Sequence, residues 1–203
     1  MSAIVCAGLT AYKAIKESKI WAGQYLAVVG AAGGIGHMVC QYGKAMGARV
    51  IAIDVGEEKK AFCESLGVEL AISCTENGHA DYQGTVEQVM NFTGGGAHAV
   101  VGCATTPEVF KTAVQMTRRC GTTICVGFAP GDVQVPLVDL VLRNLTLRGT
   151  IVGNRQDLRE ALDFAARGLV KCKIAHTVGL EELNEALKQV AQNAVDGRIV
   201  VKL

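Results

Sequence analysis

Residues 25–36 read YLAVVGAAGGIG, and the wider reading grows out of them. Five apolar residues, Tyr25 to Val29, run without polar alternation, as strands do when both faces of a parallel sheet are covered. They end in Gly30-Ala31-Ala32-Gly33-Gly34-Ile35-Gly36. Beyond this turn Met38, Val39, Tyr42, Ala45 and Met46 recur on one helical face. That spacing predicts a helix from about Gly34 to Met46, with Gly47 placed to stop it. A glycine turn between a buried strand and a helix is the setting that suits a dinucleotide pyrophosphate. Glycines let the backbone approach closely, and the helix start offers free N–H groups and a positive dipole end. The match to G-x-G-x-x-G is imperfect: Gly33 and Gly36 fit its second and third glycines, Ala31 stands at the first, and Gly30 comes one place early. A packing turn without a ligand is the competing reading, and the strand–helix context weighs against it.

The next strand, Arg49 to Ile53, ends on Asp54, eighteen residues beyond Gly36. That is close to the spacing at which a carboxylate meets the adenosine ribose hydroxyls. A 2'-phosphate would be repelled there, so the pattern favours NAD over NADP. In one reading Lys59 lies over the same ribose; in the other Lys59 and Lys60 form a solvated helix face.

Strands and helices alternate along the rest of the chain. A helix is expected over Ile4 to Ser18, with Lys13, Lys16 and Lys19 toward its C-terminal dipole end. After Asp54 the expected elements are a helix to about Leu66, a short strand Leu70 to Ile72, a helix Tyr82 to Phe92 and a strand His98 to Gly102. Then come a helix Pro107 to Met116, a strand Thr122 to Val126, a helix Leu137 to Arg143 and a strand Leu145 to Gly149. A helix Gln156 to Arg167, a strand Ile174 to Val178, a helix Leu180 to Val190 and a strand Arg198 to Val201 complete the series. Right-handed parallel crossovers then give an α/β fold: a doubly wound, parallel, six-stranded Rossmann sheet with helices on both faces, in the order 3-2-1-4-5-6. Residues 1–203 read as one domain with extra elements at both ends.

Composition narrows the function. Half of the residues are apolar but only 5% aromatic, and the net charge is +1. Mixed signs along the chain argue against nucleic acid or membrane partners. No apolar run reaches membrane length, and residues 1–18 lack the pattern of a signal peptide. Eight cysteines without a paired C-x-x-C spacing point to reduced thiols and a cytoplasmic protein. The histidines, His37, His79, His98 and His176, have no metal-ligand spacing and read as structural or exposed. Cys120 and Cys125 fall on opposite faces of one strand and are not expected to share a metal.

Cys6-Ala7-Gly8-Leu9-Thr10-Ala11-Tyr12-Lys13, the Gly30–Gly36 turn, QYGKAMGARVIAID and TIVGNRQDLREALDFAARGLV together resemble the zinc-containing alcohol dehydrogenases of the medium-chain superfamily, nearest their fungal and bacterial tetrameric branch. The likeness runs from Ala3 to Val201. It implies an NAD(H)-binding coenzyme domain of an enzyme that interconverts alcohols with aldehydes or ketones. It implies cofactor contacts for the Gly30–Gly36 turn, Asp54, Lys59, Val126, Gly127, Phe128, Val152 and Arg198, with Thr10 near the nicotinamide. It also implies that Cys6 matches one ligand of a catalytic zinc whose remaining ligands lie in an N-terminal catalytic domain absent here. A catalytic zinc needs three protein ligands, so the chain alone is expected to be inactive. Phe128-Ala129-Pro130 departs from the family pattern. A zinc-free quinone reductase relative and a non-catalytic nucleotide-binding module are the alternatives. A homodimer paired through the sixth-strand edge is expected.

Overall fold

A computed structural model describes residues 2–76, 79–192 and 194–203. A π-helical turn, Ile4–Gly8, runs into α1 (Leu9–Ser18), so the expected first helix is present with a wider first turn. Then follow β1 (Tyr25–Val29), α2 (Gly36–Ala45), β2 (Arg49–Asp54), α3 (Glu57–Ser65) and β3 (Leu70–Ser73). A small antiparallel pair, β4 (Thr75–Glu76) and β5 (His79–Ala80), precedes α4 (Tyr82–Thr93), β6 (Ala97–Gly102) and α5 (Pro107–Met116). The chain continues with β7 (Thr117–Cys125), α6 (Leu137–Leu142), β8 (Thr146–Gly149) and α7 (Arg155–Ala166). It closes with β9 (Ile174–Val178), a 3-10 turn over Leu180–Glu182, α8 (Leu183–Ala191) and β10 (Arg198–Val201).

Six strands form one all-parallel sheet in the order β3-β2-β1-β6-β7-β8, the expected topology. Side chains alternate between its faces. Leu26 and Val28 point to one face, where Tyr12, Ile15, Met38, Val39 and Tyr42 meet them. Ala27 and Val29 point to the other, against Val89, Val109, Ala113 and Met116. Truncating one of the large buried side chains here to alanine costs about 2–5 kcal/mol.

Local chemistry fixes the helix ends. Asn154 and Asp157 form a reciprocal capping box on α7. Asp81 accepts the Gly84 N–H at the start of α4, and left-handed Gly94 ends that helix. Gly47, with φ at +87°, stops α2 in the role expected of it.

Two details differ from the sequence reading, and a third goes beyond it. β7 starts at Thr117, because Thr117 already pairs with Ala97 before an irregular stretch through Cys120 shifts the register to Ala99–Thr122. The helix after the glycine turn starts at Gly36, since the N–H groups of Gly30, Ala31 and Ala32 are drawn to Ile53 and Asp54 on the neighbouring strand rather than into a helical turn. The last two strands, β9 and β10, pair in parallel with each other as a separate sheet.

Candidate functional site

Where β2 and β3 lie to one side of β1 and β6 to the other, the chain reverses its order of assembly. In an open parallel sheet that switch point leaves a crevice at the strands' carboxyl ends. A cavity of about 280 Å³ lies there, walled by Gly30, Gly33 and Gly34, by Asp54 and Lys59, and by the Cys103–Thr106 loop.

The turn is tightly bound to the neighbouring strand. The Ile53 carbonyl accepts both the Gly30 and Ala31 N–H groups, at 2.9 and 3.1 Å. Asp54 is buried and uses both carboxylate oxygens: Oδ2 accepts the Ala32 N–H and Oδ1 the Val55 N–H, each at 2.8 Å. Lys59 Nζ stands 3.6 Å from Oδ1. Gly30, at φ +80°, needs its glycine, because a Cβ there would press on the Ala104 backbone. Gly36 needs it more, because a Cβ would overlap the Gly30 carbonyl.

Gly33 differs from both. A Cβ there would meet only the Gly30 oxygen, at an ordinary 3.4 Å, so packing does not demand glycine. Its bare face opens on the cavity. Among the described residues, the N–H groups of Gly34 and Ile35 have no protein acceptor. Such orphan donors at a helix start suit an anion.

Arg198, the first residue of β10, reaches this turn from the far end of the sequence. Its side chain covers Gly34, where a Cβ would come within 2.7 Å of the Arg198 Cδ. The Gly197 N–H donates to the Ala32 carbonyl at 3.0 Å. The glycine turn, Asp54, Lys59 and Arg198 are thus brought together, and the residues fit a dinucleotide: anion donors over the turn and a carboxylate beside it.

Other predicted residues are placed as follows. Ala31, Ala32 and Val126 are buried, and Phe128 is exposed. The Val126 and Gly127 N–H groups share the Gly102 carbonyl, so this stretch follows the carboxyl end of β7 beside β6. Val152 has φ +46°, strained for a β-branched side chain. Thr10 is buried in α1 and donates to the Cys6 carbonyl at 2.8 Å, away from the cavity walls. The thiol of Cys103, a cavity residue that sequence reasoning missed, is pushed up to about 12 by burial and by the Asp54 charge, which leaves it a neutral wall. Its signal was available: a loop after a strand beside the switch point lines the crevice by rule.

The sequence profile of the zinc-binding dehydrogenases matches residues 34–167, more than half of the chain. The chain belongs to the zinc-binding dehydrogenase family. It is 40% identical over 200 residues to an alcohol dehydrogenase of Geobacillus stearothermophilus, covering 98% of this chain and 56% of that one. It is 44% identical over 201 residues to alcohol dehydrogenase 1 of Neurospora crassa, covering 98% and 55%. The crystal structure of the alcohol dehydrogenase of the archaeon Aeropyrum pernix superposes with a TM-score of 0.90 at 30% identity, over 100% of this chain and 57% of that one. This zinc-binding dehydrogenase chain therefore spans just over half the length of the relatives it matches.

The family name raises the question of the metal. Cys6 is an exposed free thiol on the π-helical turn. Among the described residues no three His, Cys, Asp or Glu side chains cluster in a way that could hold an ion. The residues present do not fit a resident catalytic zinc.

Proposed function

We propose that residues 1–203 are the NAD(H)-binding coenzyme domain of an alcohol dehydrogenase. The observation that carries this is one cavity holding unencumbered Gly33, the Asp54 carboxylate and Lys59, with Arg198 over the same turn. The Gly34 and Ile35 N–H groups and Arg198 would hold the pyrophosphate, and Asp54 would accept from the ribose hydroxyls. A 2'-phosphate would meet that carboxylate in a buried setting, so NAD is preferred to NADP. When bound, the cofactor supplies a hydride acceptor or donor; the chain's own residues bind, orient and screen it from water. Val126, Gly127, Phe128 and Val152 form the nicotinamide end, with Thr10 behind it.

Alcohol oxidation, the activity in the names of the relatives, belongs to the complete enzyme. There Cys6 would join other zinc ligands, and a small alcohol or aldehyde would be the substrate. Among the described residues no helix is long and apolar enough to cross a membrane. With eight free thiols, a cytoplasmic location is proposed. A homodimer is proposed through β8, because Leu137, Val138, Val141 and Leu142 of α6 and Leu147 of β8 leave apolar surface exposed beside an unpaired strand edge.

Calorimetric titration of NADH into the 203-residue chain tests the assignment. One site per chain is expected, lost in a Gly33→Ala, Asp54→Ala double variant; no binding to the unmodified chain would overturn it.

A further inference from the structure

The two halves of the candidate pyrophosphate clamp, the glycine turn and Arg198, come from opposite ends of the chain, and one buried side chain ties them together. His37, the second residue of α2, is fully buried. Its Nδ1 lies 2.8 Å from the Gly33 carbonyl oxygen, and its Nε2 lies 3.1 Å from the Lys173 backbone nitrogen. A carbonyl only accepts and an amide N–H only donates. Both bonds therefore exist together in one form alone, the neutral imidazole with its proton on Nδ1. The carbonyl of that same Lys173 accepts the Arg198 N–H at 2.9 Å. The path is short: Gly33 carbonyl, imidazole, Lys173 peptide, Arg198 backbone.

We propose that His37 is a positioning residue for diphosphate recognition, holding the N–H groups of the glycine turn and the Arg198 guanidinium at the separation that lets both act on one diphosphate. The proposal rests on the dinucleotide reading above. It assigns His37 no chemistry of its own.

The surroundings make the tie sensitive to a proton. The charged groups facing the ring are Arg198 from β10 and Lys173 from the segment before β9. Lys173 is itself held by Asp196 at 3.7 Å and lies over the Phe62 ring. From α3 the imidazole meets that same neutral Phe62 ring. Burial first, and then the two cations, keep the imidazole below the usual histidine range, although the Gly33 carbonyl pulls the other way. A second proton would turn Nε2 into a donor aimed at the Lys173 N–H, and the tie would break. Diphosphate affinity should then fall on acidification, while recognition of the adenosine end at Asp54 and the Cys103–Thr106 loop should not follow it.

The test is calorimetric titration of the full 203-residue chain with ADP-ribose and with adenosine, between about pH 8 and pH 5. ADP-ribose carries the diphosphate and does not change charge over that range; adenosine lacks the diphosphate. Unmodified chain, His37→Asn and His37→Leu are compared, with thermal unfolding of each recorded alongside. In the unmodified chain ADP-ribose should weaken relative to adenosine as the pH falls below the usual histidine value. His37→Asn keeps a donor for the Gly33 carbonyl but cannot titrate, so its ADP-ribose affinity should stay flat with pH. His37→Leu should weaken ADP-ribose about tenfold and leave adenosine within about twofold. If His37→Leu fails to fold, the Asn profile decides. The same pH profile in His37→Asn as in the unmodified chain, or equal loss of both ligands in folded His37→Leu, would overturn the role of His37 alone. An unmodified chain that binds adenosine and ADP-ribose at no pH would overturn the dinucleotide reading as well.

Discussion

Gly36 sits directly on the carbonyl of Gly30, with no room between them for a Cβ, whereas Gly33 in the same turn has only ordinary contact at 3.4 Å. One glycine serves the fold and the other is free to serve a ligand. Gly36→Ala should destabilise the chain by about 3 kcal/mol, since the helix must shift off the strand. Gly33→Ala should leave stability within about 0.5 kcal/mol, yet weaken NADH at least about tenfold. Urea unfolding and NADH titration of both variants check the pair. Equal stability losses would show that the turn is packing throughout.

A buried carboxylate joins α7 to α1. Asp157 is almost wholly buried, accepts the Asn154 N–H, and lies 2.9 Å from Lys16 Nζ and 3.3 Å from Lys13 Nζ. Burial alone would raise its pKa, but the Asn154 N–H and then the two lysines outweigh it and hold the group below the ordinary aspartate value. A lowered folded-state pKa gives stability that is present above the unfolded value, near 3.9, and is lost as pH falls through the folded one. Asp157→Asn should cost about 2 kcal/mol at pH 7, because both lysines keep access to water and to neighbouring carboxylates. It should also flatten the loss of stability below about pH 4. Urea midpoints measured from neutral to acid pH check this; an unchanged acid slope would refute it.

The metal prediction follows from ligand count. Among the described residues Cys6 has no companion ligands, so the 203-residue chain should hold less than about 0.1 zinc per chain after dialysis and should not oxidise ethanol with NAD. Elemental analysis and a coupled absorbance assay measure both. About one zinc per chain, or turnover above background, would contradict it.

Assembly is tested at the sheet edge. β8 ends the six-stranded sheet, and Leu137, Val138, Val141 and Leu142 of α6 are 65–72% exposed. An isologous pairing about a two-fold axis would cover that patch and close as a dimer. Light scattering should give twice the chain mass, and Thr146→Pro or Val141→Asp should shift it toward the single chain. A monomer at high protein concentration would contradict the proposal.

The sequence made the large sheet legible because its buried strands are continuous apolar runs, and parallel crossovers leave few orders to choose from. It left the start of β7 illegible, since Thr117-Arg118-Arg119-Cys120 is polar and becomes strand only by pairing with Ala97. Lys13 and Lys16 read as dipole cations, yet their partner, Asp157, lies about 140 residues away. Within the site, Asp54 and the glycine turn announce themselves by local spacing. His37 could not, because its role depends on Lys173, which only the folded chain brings to it. Arg198 was reached through family resemblance, and its contact with Gly34 is likewise tertiary.

The central claim is that Asp54 fits this cleft to the cofactor without a 2'-phosphate. Side-by-side titration of NADH and NADPH into the unmodified chain and into Asp54→Ala tests it most directly. The account predicts NADH tighter by at least about tenfold in the unmodified chain, and a gap narrowed severalfold in Asp54→Ala. Equal affinities in the unmodified chain, or a preference for NADPH, would contradict it.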